Sequence, residues 1–266
     1  MTTPTISAQL WSVRDEIAAD LDGALAKLRA IGFANVEAFD FVSRADAFAD
    51  AFARHGIACP TAHASLASTT ENPFDASITA PTTEQVFAAA ATLGVTTVFD
   101  PFVAPERWSS RAEIAATADA LNAAAEMGAA HGIAVGYHNH NQEFDFTIDG
   151  RFALELFAEL LDPAVQLELD LYWATAGGAD LVELLGSLGD RVTALHIKDG
   201  TLDPRPSLNS TPTDQVPAGE GVVALGAALD AASAAKYAIV EFDAYRGDIW
   251  HGMTTGFEFL AARGLS

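Results

Sequence analysis

The stretch AHGIAVGYHNHNQEF, residues 130–144, contains the pattern that decides the fold. Gly132 follows a run of helical spacing, which is a common position for a glycine at the C-terminus of a helix. The apolar run after it ends at a polar cluster formed by His138, His140 and Glu143. We interpret the stretch as the end of a helix, then a buried strand, then a group of reactive side chains at the carboxyl end of that strand.

The same order of helix, glycine and apolar strand recurs along the chain. It is present in AIGFANVEAF, RHGIACPTAH and TLGVTTVFD, which begin at residues 30, 54 and 92. Alanine-rich segments of helical spacing separate eight predicted strands, which are Thr5–Gln9, Asn35–Ala38, Ala58–His63, Thr96–Phe99, Ile133–His138, Val165–Asp170, Val192–His196 and Tyr237–Glu241. Eight such units with right-handed crossovers close into a barrel. The predicted fold class is therefore α/β, a (β/α)8 TIM barrel in which residues 1–266 form a single domain.

The alternative α/β architecture is an open, doubly wound sheet. A nucleotide-binding version of that sheet has a glycine-rich loop after its first strand. Residues 9–15 read QLWSVRD instead, and the chain contains neither GxGxxG nor a P-loop sequence. These observations favour the barrel. Two long connections, Ser65–Pro81 and Gly200–Gly221, each follow a predicted strand and are therefore expected at the carboxyl ends of the strands. Long loops are often functional.

Composition limits the classes of partner. The chain has 14 Lys and Arg against 36 Asp and Glu, a formal net charge of −22. Such an acid excess opposes non-specific binding to nucleic acid and to anionic membrane surfaces, so neither is expected as a partner. The single Cys59 cannot form an intrachain disulfide, and we find neither a secretory signal nor an apolar stretch of membrane-spanning length. We expect a cytoplasmic protein.

Groups that can bind a metal lie at the ends of the last four predicted strands. We predict Glu143, Asp170, His196 and Glu241 as the ligands, with His138 as the competing candidate for the first position because the fifth strand ends there. Carboxylates suit hard divalent ions, and imidazole suits manganese, cobalt and zinc. The predicted cofactor is thus one divalent metal, with Mn²⁺ favoured and Mg²⁺, Co²⁺ or Zn²⁺ as alternatives.

Two residues are predicted to take part in proton transfer and charge stabilisation. His138 and His140 face the same way in an extended segment, and His140 lies nearer the mouth of the barrel, so we predict it as the general base. Lys198 shares a face with His196 and is predicted to stabilise developing negative charge on the substrate. A structural pairing of Lys198 with Asp199 is the alternative.

Further residues are predicted to contact the substrate around the same rim. Gln9 and Trp11 follow the first strand, His63 ends the third, and His138 ends the fifth. An aromatic ring beside hydrogen-bonding groups suits the apolar face of a sugar. Arg246, in the loop after the last strand, is predicted to meet a carboxylate or phosphate, although in so acidic a chain it can equally pair with a surface acid.

Several motifs together resemble a known superfamily. They are SAQLWSVRDE, AHASL, YHNHNQEF, ELDLYW, HIKDG, PAGEG and VEFD. In this combination the chain resembles the sugar phosphate isomerase/epimerase superfamily, also called xylose isomerase-like TIM barrels, over almost its whole length. The resemblance implies one divalent metal held at the last four strands, and Asp170, His196 and Glu241 match its ligand positions. Glu143 and Glu241 are also predicted as catalytic residues.

The fifth strand departs from the epimerase pattern. Many epimerases of the superfamily have a glutamate where this chain has His138. The HNHxxEF form is instead similar to inosose dehydratases and to the metal-dependent subunit of C-glycoside deglycosidases, in which the residues matching His140 and Glu143 serve as base and ligand. The resemblance thus implies proton abstraction beside a carbonyl of a sugar or 3-keto-sugar, followed by isomerisation, epimerisation or β-elimination.

The sequence is also compatible with other functions. The nearest is a ketose or sugar-phosphate 3-epimerase or isomerase, and another is a non-catalytic sugar-binding or partner subunit. An endonuclease IV-like nuclease is disfavoured, because that chemistry needs more histidine ligands and a cationic face, whereas this chain has 7 His and a charge of −22. The expected partner is a small sugar or keto-glycoside, and a homo-oligomer or a small second subunit is left open.

Overall fold

Eight parallel strands form a closed barrel. The computed structural model describes residues 3–67, 80–207 and 211–266, so most of the loop predicted over Ser65–Pro81 lies outside the described residues. The barrel strands are β1 (Thr5–Gln9), β2 (Asn35–Ala38), β3 (Ala58–His63), β4 (Thr97–Asp100), β5 (Ala134–His138), β6 (Gln166–Asp170), β7 (Val192–Ile197) and β8 (Tyr237–Val240). Each pairs with its sequence neighbours, and pairing of Thr5 with Tyr237 closes the ring. The predicted barrel is confirmed.

Helices surround the barrel. They are α1 (Arg14–Ala19), α2 (Leu21–Ile31), α3 (Ala45–His55), α4 (Thr83–Leu93), α5 (Arg111–Ala130), α6 (Ala153–Leu160), α7 (Leu171–Ala176), α8 (Leu181–Leu188), α9 (Leu225–Ala231) and α10 (Ile249–Ala261). Two small hairpins lie outside the barrel, one pairing Thr147–Ile148 with Arg151–Phe152 and one pairing Asp199–Gly200 with Gln215–Val216. In the described part of the chain, no helix is long and apolar enough to span a bilayer.

Glycines end two of the helices in the way the sequence pattern predicts. Gly56 after α3 and Gly94 after α4 have φ angles of 61° and 73°, in the left-handed region that favours glycine. The backbone N–H of Gly94 donates to the carbonyls of Ala90 and Ala91, which closes the last turn of α4. The chain then enters the next strand within a few residues, and this connection fixes where each strand begins.

The inside of the barrel is layered along the strand direction. In the middle of their strands, Phe99, Ala194 and Ile239 form a small apolar cluster. Side chains two residues apart on a strand point to the same side, so His196 and Glu241 lie above Ala194 and Ile239 on the inner face. The interior therefore changes from apolar to charged toward the carboxyl ends of the strands, which is the end where barrels of this type carry their chemistry.

Gly136 on β5 leaves space for the ring of Phe99 inside the barrel. A Cβ at Gly136 would lie 2.4 Å from Cδ1 of Phe99 and 2.9 Å from the carbonyl oxygen of Gln166. We expect Gly136→Ala to lower the free energy of unfolding by about 1–3 kcal/mol, because overpacking forces neighbouring groups to move.

The matched control for this substitution is Gly186→Ala. Gly186 lies within α8, and a Cβ there would meet nothing within 4 Å. The control should raise the free energy of unfolding by about 0.5–1 kcal/mol, the usual gain of alanine over glycine in a helix. Urea unfolding of the two variants checks the prediction, and equal stabilities would contradict it.

Candidate active site

Four side chains from successive strands meet at the carboxyl end of the barrel. His138 ends β5, Asp170 ends β6, His196 lies on β7, and Glu241 follows β8. All four are buried, and each offers a ligand atom within 4.8 Å of the others. We call this set the upper group. The strand register explains the convergence, because Asp170 pairs with His196 across the β6–β7 interface.

The ammonium of Lys198 lies beside the carboxylates of the upper group. Its Nζ is 2.9 Å from Oδ2 of Asp170, 2.6 Å from Oε2 of Glu241, and 3.0 Å from both carboxylate oxygens of Asp243. Burial alone would lower the pKa of Lys198, but the three carboxylates outweigh it and hold the pKa well above its usual range. The site thus carries a fixed positive charge. Asp243 was not among the predicted site residues.

The pKa values of the two carboxylates in the upper group are shifted in opposite directions. Burial raises the pKa of Asp170 to about 6, against the opposing effects of Lys198 and His196. Burial also acts to raise the pKa of Glu241, but Lys198 and His196 outweigh it and hold that pKa well below the usual range. His196 explains the difference in part, because its Nδ1 is 2.6 Å from Glu241 and 3.9 Å from Asp170.

A second polar layer lies directly beneath the upper group. It consists of Glu37 on β2, His63 on β3 and Glu168 on β6, in contact with the two histidines of the upper group, and we call it the lower layer. His63 Nε2 lies 2.6 Å from Glu168 and 3.1 Å from Glu37. His196 Nε2 is 2.7 Å from Glu37, and His138 Nδ1 is 3.0 Å from Glu168. His138 and His196 therefore each direct one ring nitrogen toward a carboxylate of the upper group and the other toward a carboxylate of the lower layer.

The lower layer is held by opposite charges. Burial alone would lower the pKa of His63, but Glu37 and Glu168 outweigh it and raise the pKa to about 10. Burial would likewise raise the pKa of Glu37, yet His63 and His196 hold it well below its usual range. Sequence reasoning missed both glutamates. For Glu168 a signal was available, since it stands two residues before Asp170 and must share its inward face.

Glu143 lies apart from the upper group. Its carboxylate accepts a hydrogen bond from the hydroxyl of Tyr137 at 2.5 Å and another from the backbone N–H of His140 at 3.0 Å. The residue belongs to a short 3-10 turn, Gln142–Phe144, and is fully buried. Burial raises the pKa of Glu143 to about 7. Of the two alternatives for the first ligand, the structure brings His138 rather than Glu143 together with the other three donors.

His140 presents a free ring nitrogen next to the upper group. Its Nδ1 is buried and has no hydrogen-bond partner within the described residues. The imidazole lies 5.0 Å from the ring of His138 and 5.7 Å from the ring of Trp173, measured between centroids. Burial, followed by the charge of Lys198, lowers the pKa of His140 well below its ordinary value. The ring is therefore neutral and able to accept a proton.

The predicted substrate contacts separate into buried and rim residues. Gln9 is buried, donates to Glu37 at 2.8 Å and accepts from the backbone N–H of Trp11 at 3.1 Å. His63 makes its contacts in the lower layer. Trp11 is partly exposed and packs edge-on against Phe39. Arg246 is exposed in the loop after β8.

Asp199 anchors the long connection after β7. Its two carboxylate oxygens accept hydrogen bonds of 2.9–3.0 Å from the backbone N–H groups of Gly200, Gly219, Gly221 and Val223. Lys198 instead pairs with Asp170, Glu241 and Asp243, so the alternative pairing of Lys198 with Asp199 is not seen. The sequence motifs HIKDG and PAGEG thus meet through one carboxylate.

We expect Asp199→Asn to destabilise the fold. An amide has one acceptor oxygen and would leave two of the four N–H groups facing another donor, so the free energy of unfolding should fall by about 2–4 kcal/mol. Urea unfolding measures the change. Asp119→Asn, at an exposed position of α5, is the control and should shift stability by less than about 0.5 kcal/mol. Equal effects of the two substitutions would show that the hydrogen bonds of Asp199 to the loop backbone do not stabilise the fold.

Comparison with known proteins places this chain in a family. The chain belongs to the xylose isomerase-like TIM barrel family, whose profile matches residues 25–262. The resemblance inferred from the motifs is thereby confirmed. No curated protein matches the chain at a significant level.

Solved structures share the fold over the full chain. A sugar phosphate isomerase/epimerase from Parabacteroides distasonis is 20% identical, with a TM-score of 0.76 and coverage of 100% of this chain and 96% of that one. The probable 3-DHS dehydratase AsbF from Bacillus anthracis is 15% identical, with a TM-score of 0.71 and coverage of 97% and 98%. The IolI protein with a bound zinc atom is 19% identical, with a TM-score of 0.71 and coverage of 97% of each chain.

Proposed function

We propose that the protein is a divalent-metal-dependent enzyme that removes a proton from the carbon beside a carbonyl group of a sugar or 3-keto-sugar. One observation carries the proposal. A neutral imidazole with a free nitrogen, His140, lies beside a buried group of four metal-binding side chains and a fixed ammonium. A base, a cation site and a positive charge close to one another are the elements that such a proton abstraction needs.

The upper group fits a divalent cation. His138, Asp170, His196 and Glu241 would hold the ion, a set of two imidazoles and two carboxylates that suits Mn²⁺, Co²⁺ or Zn²⁺ better than Mg²⁺. The buried Oδ2 of Asp170 forms no hydrogen bond of good geometry, although Lys198 lies near it. When bound, such an ion polarises a carbonyl oxygen and makes the neighbouring C–H more acidic. The structurally similar IolI protein was solved with a bound zinc atom, which supports a divalent metal in this chain.

His140 is proposed as the general base. Its low pKa keeps the ring unprotonated at neutral pH, and its Nδ1, which has no hydrogen-bond partner among the described residues, can accept a proton. The bond from its backbone N–H to Glu143 fixes the main chain at this position, so Glu143 would position the base. Trp173 beside the ring limits its rotation. These contacts fit a group that must meet one particular C–H bond.

Lys198 is proposed to stabilise the negative charge that develops on the substrate oxygen. The ammonium is held in place by three carboxylates and is fully buried, so it needs little reorganisation when charge appears nearby. At the mouth, Trp11 would contact the apolar face of a sugar, and the exposed Arg246 would meet an anionic substituent. Gln9 and His63 would act through their contacts with the lower layer.

The fate of the carbanion-like intermediate decides the product. Return of the proton gives an isomer or epimer, whereas expulsion of a group on the next carbon gives an unsaturated product. The structural neighbours include both an isomerase/epimerase and a probable dehydratase by name. A histidine at position 138, where many epimerases have a glutamate, favours elimination over simple epimerisation.

Solvent exchange tests the proposal directly. Protein loaded with Mn²⁺ and incubated with ketoses or 3-keto-glycosides in D₂O should place deuterium beside the carbonyl or release the β-substituent, and a chelator should stop both. Turnover that persists in metal-free protein would overturn the metal requirement. Sugar binding without exchange for any candidate would overturn the catalytic assignment and support a binding subunit.

A further inference from the structure

We propose that His63, His138, Glu168 and His196 form a second cation site, deeper in the barrel than the upper group, whose preferred ion is Zn²⁺. This inference does not depend on turnover. The four residues offer ligand atoms within 4.8 Å of one another, and all but His63 are fully buried. His63 is close to buried, with a side chain that is 10% exposed.

In the proposed site, one nitrogen from each of three histidines lies close to the same carboxylate oxygen of Glu168. Oε2 of Glu168 lies 2.6 Å from Nε2 of His63, 3.0 Å from Nδ1 of His138, and 3.1 Å from Nε2 of His196. These three nitrogens come from three different strands, so the barrel itself sets their positions. Small movements of the side chains would bring all four atoms to bonding distance from a common ion, since ligands of a tetrahedral zinc lie roughly 3.3 Å apart when each bond is about 2.0–2.1 Å.

A second observation is that two carboxylate oxygens of the lower layer have no hydrogen-bond partner in the described part of the chain. Oε1 of Glu168 and Oε2 of Glu37 are buried and have no hydrogen-bond partner within residues 3–67, 80–207 and 211–266. A buried carboxylate oxygen without a partner is unfavourable, because the interior supplies no water to replace one. A divalent cation bound by Glu168, with Glu37 close to its imidazole ligands, would stabilise both carboxylates.

The donor set identifies the kind of ion. Three imidazoles and one carboxylate form a closed, nitrogen-rich tetrahedral site of the kind that zinc occupies. Mg²⁺ prefers oxygen ligands and retains several waters, which this enclosed layer does not suit. The upper group has equal numbers of carboxylates and imidazoles, so the two sites should differ in metal preference.

The two sites compete for the same imidazole rings. His196 directs Nε2 to the lower layer and Nδ1 to Glu241, while His138 directs Nδ1 to Glu168 and Nε2 toward Asp170 at 3.8 Å. A neutral imidazole has one nitrogen lone pair for a metal, and its other nitrogen carries a hydrogen. An ion in one site therefore turns the opposite nitrogens into donors and excludes an ion from the other site.

Crystals of metal-free protein given one equivalent of Zn²⁺ test this arrangement by anomalous diffraction at the zinc edge. The expected result is one peak bonded to Glu168 and three imidazoles. A peak bonded to Asp170 and Glu241 instead would overturn the proposal, and two peaks in one barrel would overturn the competition. Because this readout uses the unaltered chain, it does not depend on whether a variant folds.

Equilibrium zinc binding by three variants gives an independent test. Glu168→Gln and His63→Gln should weaken zinc binding by more than the about 10–100-fold that removal of a ligand's hydrogen-bond partner causes. Asp170→Asn should leave zinc affinity within about 10-fold while weakening Mn²⁺ binding more strongly. The opposite pattern would overturn the proposal. Absence of Mn²⁺ binding at the upper group, with zinc still bound below, would refute the proposed function alone.

Discussion

His140→Gln should lower kcat by about 10²–10⁴-fold, the contribution typical of a positioned general base. Glutamine fills a similar volume but cannot accept a proton at neutral pH. Since His140 belongs to neither group of metal-binding side chains, metal affinity should stay within about threefold of the unaltered protein. The rate of solvent deuterium uptake and equilibrium Mn²⁺ binding measure the two quantities.

The matched control is His131→Gln. His131 follows α5, is exposed, pairs with Glu84 at 3.2 Å, and lies outside the barrel strands. It should leave kcat unchanged. If His140→Gln kept more than a tenth of the activity, another group would have to be the base. Lys198 and the carboxylates of the upper group would then be the candidates.

The role of Glu143 makes the same experiment more discriminating. Its carboxylate holds the backbone N–H of His140 and the hydroxyl of Tyr137, contacts that do not use the imidazole. Glu143→Gln should therefore lower kcat by less than His140→Gln, because the base is still present but less well positioned. A larger loss in Glu143→Gln, together with lost Mn²⁺ binding, would restore Glu143 as a metal ligand.

The fold and three of the four upper donors could be predicted from the sequence. Each strand of the barrel is a short apolar run with its own helix and turn, so its position depends on local pattern. Asp170, His196 and Glu241 lie on or directly after a strand, and the carboxyl ends of parallel strands meet on one rim whatever the details of packing. Convergence of these residues follows from topology alone.

Whether His138 or Glu143 lies with the other three donors could not be predicted from the sequence, because it depends on a turn. An extended chain beyond β5 would direct Glu143 toward the rim, but the chain forms a 3-10 turn over Gln142–Phe144. That turn brings the carboxylate back to Tyr137 within β5. The choice between His138 and Glu143 is made by a local bend that period-two reasoning does not represent.

The lower layer was missed for a different reason. Glu37 on β2 and His196 on β7 are 159 positions apart and lie on strands that are not neighbours. Their contact crosses the barrel interior, so it requires both closure and the correct register of every strand between them. A glutamate within a short strand has no local feature that separates an inward-facing charge from a surface one.

Lys198→Met should lower the free energy of unfolding, and the size of the loss should depend on whether metal is bound. In metal-free protein the substitution leaves the buried carboxylates of Asp170 and Glu241, and the partly exposed carboxylate of Asp243, without the ammonium that lies within 3.0 Å of each. Removal of one partner from a buried ion pair typically lowers stability by about 3–5 kcal/mol. With saturating Mn²⁺ at the upper group the loss should be smaller, because a divalent cation neutralises Asp170 and Glu241 in its place.

Urea unfolding of Lys198→Met in chelator and in Mn²⁺ separates the two roles of this residue. Lys236→Met, at an exposed position before β8, is the control and should change stability by less than about 0.5 kcal/mol in both conditions. If metal restores the stability of Lys198→Met while deuterium uptake stays low, the ammonium acts on the substrate and not only on the carboxylates. An equal loss of stability with and without Mn²⁺ would mean that no cation reaches Asp170 and Glu241, and the upper group would then be a structural charge network.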